Sequence, residues 1–138
     1  MRVVYVDSGA FIALLWRRDR AHERCGEHLR RLRRSGDVLV TSEPVVAETT
    51  TRLRYDAGLE AALRFHRILE EASLRGELRL RYGDERLRAA ALEVMARFPD
   101  LKLSYADAVG AVVAREVRAA AVFGLDDDFR HLGFALEP

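Results

Sequence analysis

A chain of 138 residues that is 49% hydrophobic has the size and apolar content of one domain with its own core, covering residues 1–138. Its 23 basic and 22 acidic residues leave a net charge of +1, so overall charge selects neither nucleic acid nor an anionic membrane. A single cysteine, Cys25, excludes an internal disulfide, and no run of about 18 uncharged apolar residues offers a membrane span.

The first element in chain order is Val3–Val6, a β-branched and aromatic run that reads as a strand. Asp7 interrupts the apolar N-terminus, and Arg17-Arg18-Asp19-Arg20 closes it without a small-residue cleavage site. It therefore does not read as a signal peptide, and the chain is expected in the cytoplasm. Ala10–Trp16 and Ala21–Arg34 are expected to be helices, and Val38–Thr41 a second strand. Two helices follow, Val45–Tyr55 and Leu59–Ser73, separated by Gly58; Leu78–Arg81 is a weaker strand. Asp84–Arg97 reads as a helix stopped by Pro99, and Tyr105–Arg118 as a helix opened by Ser104. Ala119–Phe123 is a strand, Asp127–His131 a short helical turn, and Phe134–Leu136 an edge strand. Strands alternating with helices imply an α/β fold, a central parallel sheet flanked by helices on both faces. In such sheets ligands bind beyond the carboxyl ends of the strands. There the sequence places Asp7, Ser42–Glu43 and Asp126.

Most acids have a local explanation. Glu27 and Arg31, Glu60 and Arg64, Asp84 and Arg88, and Glu93 and Arg97 stand four apart on helices, where such pairs add about 0.2–0.5 kcal/mol. Asp7 and Asp107 do not fit that pattern, because each is the only charge in a long apolar stretch. Singly, each site acid also has a structural role open to it. Asp7 could cap the next helix, and Asp107 could close a capping box with Ser104. Glu48 could pair with Arg52, and Asp126, Asp127 and Asp128 could serve a helix dipole. None of these roles explains why the acids share one end of one sheet. If Asp7, Glu48, Asp107 and Asp126 converge, two of their charges about 4 Å apart repel by roughly 4 kcal/mol at an effective dielectric near 20. Such a cluster takes up protons or a cation. An all-oxygen donor set without cysteine or histidine favours Mg2+ or Mn2+, and a metal-bound water is a nucleophile for phosphodiesters.

The other chemistry-bearing residues are weaker candidates. Residues 17–34 hold eight arginines against Asp19, Glu23 and Glu27, which reads either as a solvated helix face or as a phosphate-facing patch. The four histidines, His22, His28, His66 and His131, lie on arginine-rich helices or a late turn and are assigned no catalysis. Cys25, Trp16, Phe123 and Phe129 read as structural residues. Ser8 is a candidate to orient a metal-bound water.

In this order the motifs resemble those of the PIN domain, and within it the toxin nucleases of VapBC toxin–antitoxin pairs. The resemblance covers nearly the whole chain. Val-Tyr-Val-Asp7-Ser8-Gly9 followed by an apolar helix is similar to the family's first motif, and Thr-Ser-Glu-Pro-Val-Val-Ala-Glu48 to its second. Leu-Ser-Tyr-Ala-Asp107 is similar to its third, and Gly-Leu-Asp126-Asp127-Asp128-Phe to its fourth. The resemblance implies a PIN-like three-layer fold and metal-dependent cleavage of RNA. It places the ligands at Asp7, Glu48, Asp107 and Asp126, with Ser8 and Asp128 in support, and prefers Glu48 to Glu43. It further implies a homodimer, and a cognate antitoxin that inhibits by placing an arginine in the acidic pocket. Two positions depart from the family pattern: Gly9 stands where Ser or Asn is usual, and Gly124 where Thr is usual.

Two other classes remain. A phosphatase-like hydrolase with Asp7 as nucleophile would need a second aspartate where Gly9 stands. A non-catalytic RNA- or protein-interaction module on the same fold would have no reason to bind Mn2+ at its acids. In a homodimer, the helices of Val45–Ser73 are expected to contribute an apolar face, through Leu59, Leu63 and Phe65–Leu69.

Overall fold

Four consecutive β-branched or aromatic residues make Val3–Val6 a strand (β1), and Val4, Tyr5 and Val6 are fully buried. The computed structural model describes every residue from Met1 to Pro138. After β1 come α1 (Ser8–Leu15), α2 (His22–Arg34), β2 (Val38–Ser42), α3 (Glu43–Asp56), α4 (Leu59–Leu74), β3 (Leu78–Arg81) and α5 (Glu85–Arg97). A 3-10 turn (Pro99–Leu101) leads to α6 (Tyr105–Glu116), β4 (Ala121–Phe123), α7 (Asp128–His131) and β5 (Leu136–Glu137). The five strands form one sheet in the order β3-β2-β1-β4-β5, and every neighbouring pair is parallel.

Successive residues of a strand face opposite sides of its sheet. Tyr5 meets Gly110 of α6, whereas Val6 lines a groove between α2 and α4. α6, with α5 packed on it, therefore covers one face, and α2 and α4 stand on the other. The architecture is the expected three-layer α/β fold. β1 is central, so its continuation, Asp7, emerges in the middle of the molecule.

Element boundaries shift for local reasons. α1 starts at Ser8, not Ala10, because Asp7 already adopts the extended conformation of a helix cap while its N–H still pairs with Phe123 O at 2.9 Å. β4 starts at Ala121 rather than Ala119, since Arg118 turns to a φ of 52° as it leaves α6. β5 lies at Leu136–Glu137 rather than Phe134–Leu136, because the turn at Gly133 (φ 94°) delays the return to the sheet.

The expected ion pairs within helices are replaced by others. Glu60 pairs with Arg67, Asp84 with Arg81, and Arg52 with Asp56, while Glu71 pairs with Arg75. These side chains are exposed and rotamer-rich, and each pairing is worth at most about 1 kcal/mol, too little to enforce the sequence-local choice. The expected apolar face of α4 also divides. Phe65 and Leu69 are buried, leaving Leu59 and Leu63 about half exposed beside Tyr55 at the end of α3.

Candidate active site

Asp7 reaches the site directly from β1. It occupies the cap position of α1, yet its side chain makes no capping hydrogen bond, so capping does not account for it. Its residue is 4% exposed, and its Oδ1 is buried with no hydrogen-bond partner. Burial pushes the Asp7 carboxyl up to about 7 from 3.8; the Ser8 N–H opposes the rise, and the charges of Asp107, Glu48 and Asp126 add to it. The fold thus sets all four acids near enough to feel one another. This interaction is what distinguishes them from the chain's other acids.

Each of the other three arrives on its own element. Glu48 is half-buried on α3 and forms no ion pair with Arg52, which turns to Asp56 instead. Glu43, the rejected alternative, is exposed in the first turn of α3. Asp107 stands at the third position of α6 and does close the capping box: Ser104 N–H donates to its Oδ2 at 3.0 Å, and its own N–H donates to Ser104 Oγ at 3.0 Å. Capping occupies one carboxylate oxygen and leaves the other available. Even so, burial, with the charges of Asp126 and Glu48, raises the Asp107 carboxyl above its ordinary value. Asp126 accepts from the Asp128 N–H at 2.9 Å, which shapes the loop into α7. Asp127 faces away and pairs with Arg130 and His131, leaving Asp128 half-buried at the start of α7. Ser8 is buried beside Asp7.

Supporting residues lie beneath this layer. Tyr5 Oη and Ser42 Oγ are hydrogen-bonded at 2.8 Å in the core, and Thr41 Oγ1 donates to Val6 O at 2.8 Å. Tyr5, Thr41 and Ser42 are entirely buried, so they fix the strand ends from which Asp7 and α3 depart. A Cβ at Gly110 would stand 2.9 Å from the Tyr5 ring and hydroxyl, so only glycine lets α6 approach. An isolated glycine inside an apolar helix was the one sequence signal for this contact. The two departures from the family pattern also separate here. A Cβ at Gly9 would touch the Leu125 side chain at an ordinary 3.6 Å, whereas one at Gly124 would lie 3.1 Å from Asp7 Cβ. Gly124 therefore leaves room directly against Asp7.

None of the histidines joins the acids. His22 Nδ1 is 2.7 Å from Ala13 O, His66 Nε2 is 2.8 Å from Thr50 Oγ1, His28 packs edge-on to Phe123, and His131 faces Asp127. The donor chemistry for a hard divalent cation is present, and the orphaned Asp7 oxygen lacks any protein partner that would relieve it. As the side chains stand, no three of them gather at ligand distance around a common point. Magnesium normally keeps several of its waters and takes only one or two carboxylates directly, so this spacing fits a water-rich ion.

Comparison with known proteins agrees with this architecture. The family model for the PIN domain matches residues 4–135. No curated protein matches the chain significantly. Among solved structures, VapC20 of Mycobacterium tuberculosis, described as a sarcin–ricin loop cleaving toxin, is 27% identical with a TM-score of 0.83, covering 98% of this chain and 99% of that one. VapBC2 of Rickettsia felis, bound to a DNA fragment from its promoter, is 14% identical with a TM-score of 0.70, covering 98% of this chain and 97% of that one, and supports the fold alone. No helix is long and apolar enough to cross a membrane. With its all-parallel sheet and its acids at the strand ends, the chain belongs to the PIN domain family and has the fold of its VapC-type members.

Proposed function

We propose that this chain is an Mg2+- or Mn2+-dependent endoribonuclease, the toxin of a VapBC-type pair acting in the cytoplasm. The observation that carries the reading is the buried, unpartnered oxygen of Asp7 within reach of three other carboxylate charges. Asp7, Glu48, Asp107 and Asp126 would hold the cation, with Ser8 and Asp128 supporting. A cation bound there would supply positive charge for the scissile phosphate and would acidify a water for attack on it. The chain's own residues set the conditions. Asp7 would offer its buried oxygen to the ion in its deprotonated form, Asp107 is held by its capping box, and the buried hydrogen bond between Tyr5 and Ser42 fixes the strand ends beneath them. The likeness to a sarcin–ricin loop cleaving toxin supports RNA as the substrate.

The partner assignments rest on surfaces. The groove between α2 and α4, about 800 Å³, exposes Leu29, Leu39 and Ile68, and its rim carries Arg34 and Arg64 without acid partners. It suits an apolar antitoxin segment flanked by acids. Tyr55, Leu59 and Leu63 are the exposed apolar residues that a homodimer would cover.

The decisive assay uses the purified chain, free of antitoxin, on a structured RNA. Cleavage in Mn2+ that stops in EDTA is expected. Cleavage that persists in EDTA refutes the metal mechanism, and absence of both Mn2+ binding and cleavage favours a non-catalytic interaction module on the same fold.

A further inference from the structure

The arginine-rich segment does not form one patch. Arg33 and Arg34, at the end of α2, border the groove near the start of β2. Arg18, Arg20 and Arg24 instead surround a separate cleft with Trp16, Asp19 and Leu125. Leu125 is the neighbour of Asp126 in sequence, and its side chain lies 3.6 Å from where a Gly9 Cβ would stand, two residues after Asp7. This second group of arginines therefore shares with the acid-bearing loop a common wall, Leu125, which the groove by Arg33 and Arg34 lacks.

The cleft is a built feature. The connection from α1 to α2 turns twice, with Asp19 N–H donating to Trp16 O and His22 N–H to Asp19 O, both at 3.0 Å. The Asp19 carboxylate accepts from the Ala21 N–H at 2.9 Å, and His22 Nδ1 ties the start of α2 to Ala13 O at 2.7 Å. The one acid lining the cleft is thus engaged by the backbone. Arg18, Arg20 and Arg24 have no ion-pair partner, although other surface arginines, such as Arg67 and Arg81, do. Three guanidinium groups without ion-pair partners, lining one cleft with a half-buried indole, combine backbone neutralisation with an aromatic face, the pairing that single-stranded nucleic acids use.

Resting on the ribonuclease reading above, we propose that Arg18, Arg20 and Arg24 form the substrate-phosphate subsite, gripping the RNA backbone next to the bond that the acids cut. Trp16 lies beneath that strand as a surface for a base. The acids repel the RNA backbone and cannot by themselves retain it. The arginine cleft supplies the attraction from one side and sets which stretch of strand crosses Asp126.

The test measures binding of a short fluorescein-labelled single-stranded RNA to the Asp107→Asn protein, which keeps the probe intact. Arg18→Ala/Arg20→Ala/Arg24→Ala should weaken binding and reduce the slope of log affinity against log salt by about 2, at about 0.7 per phosphate contact on a single strand. Removing equal charge elsewhere, as Arg30→Ala/Arg31→Ala/Arg34→Ala, should leave the slope unchanged. Restoring charge alone, with lysine at positions 18, 20 and 24, should return the slope. If the alanine triple variant fails to fold by circular dichroism, Arg24→Glu alone carries the test and should lower affinity at least tenfold. Slopes reduced equally by both triple variants, or unchanged by the first, overturn the subsite while leaving the nuclease reading standing. A parent chain that neither binds nor cleaves RNA overturns the nuclease reading itself. A triple alanine variant that keeps RNA binding but loses binding of a poly-glutamate peptide would assign the cleft to an acidic protein partner and also overturn the subsite.

Discussion

Two groups of charged residues in this molecule face opposite situations. Around Arg2, each acid has a cation. Arg2 donates from its backbone N–H to Asp37 at 2.9 Å and from its guanidinium to both Asp37 and Glu137, and His28 Nε2 lies 3.1 Å from Glu137. The hydrogen bond from Arg2 holds the Glu137 carboxyl below its ordinary value, and burial keeps His28 below its own. At the strand ends around Asp7, four acids share a space without one basic partner, and the Asp7 and Asp107 carboxyls rise instead. The first group closes the termini against the sheet. The second stores repulsion that folding alone gives no reason to keep. A charged cluster completed by the chain itself is structural, and one left incomplete points to something the chain must bind.

The largest expected effect falls on the incomplete cluster. Asp107→Asn should lower Mn2+-dependent RNA cleavage by more than about a hundredfold, since even residues that only orient metal ligands cost 10–100-fold. Asparagine retains an oxygen to accept the Ser104 N–H, so the capping box and the melting temperature should persist. Near-normal cleavage by this variant would reduce Asp107 to a cap and erase the contrast.

A second effect is thermodynamic. The folded Asp7 carboxyl titrates near 7, whereas in the unfolded chain it titrates near 3.8. Below about pH 4 both states hold the proton. Between about pH 4 and 7 the unfolded chain releases its proton while the folded chain keeps it, so metal-free stability falls as pH rises and levels off above 7. The total is on the order of 4 kcal/mol at 1.36 kcal/mol per pKa unit. Urea unfolding in EDTA across this range should show the decline, and Asp7→Asn should flatten it. An identical pH profile in that variant would mean Asp7 is not the group responsible.

The completed cluster should respond in the opposite sense. Arg2→Ala leaves the Asp37 side chain, 3% exposed, without its cation and should destabilise the fold by about 1–3 kcal/mol. Mn2+ affinity should not change. A shift in metal affinity larger than about threefold would show that the two groups communicate, against the division drawn here.

Much of this contrast was legible in the sequence, but unevenly. The strands Val3–Val6 and Leu78–Arg81 were readable to the residue because their β-branched or alternating runs are bounded by turns. Asp7 and Asp107 stood out because an isolated charge in an apolar stretch has few explanations. The network around Arg2 was not readable, since Arg2 and Glu137 are 135 residues apart and nothing local marks them as partners. The spacing of Arg24 and Arg34 on α2, ten residues or about 15 Å, was readable, but not that Leu125, about a hundred positions away, would close a cleft around Arg24. Gly124 could be noted as unusual from sequence, but its position against Asp7 depends on the pairing of β1 with β4.

The central claim is that four acids from four separate elements form one cation site. The most direct test is an electron paramagnetic resonance titration of free Mn2+ with the purified chain and its Asp7→Asn, Asp107→Asn and Arg2→Ala variants. The parent chain and Arg2→Ala should remove Mn2+ from solution alike, and each aspartate variant should bind at least tenfold more weakly. Equal binding by all four proteins, or no binding by any, would contradict the claim.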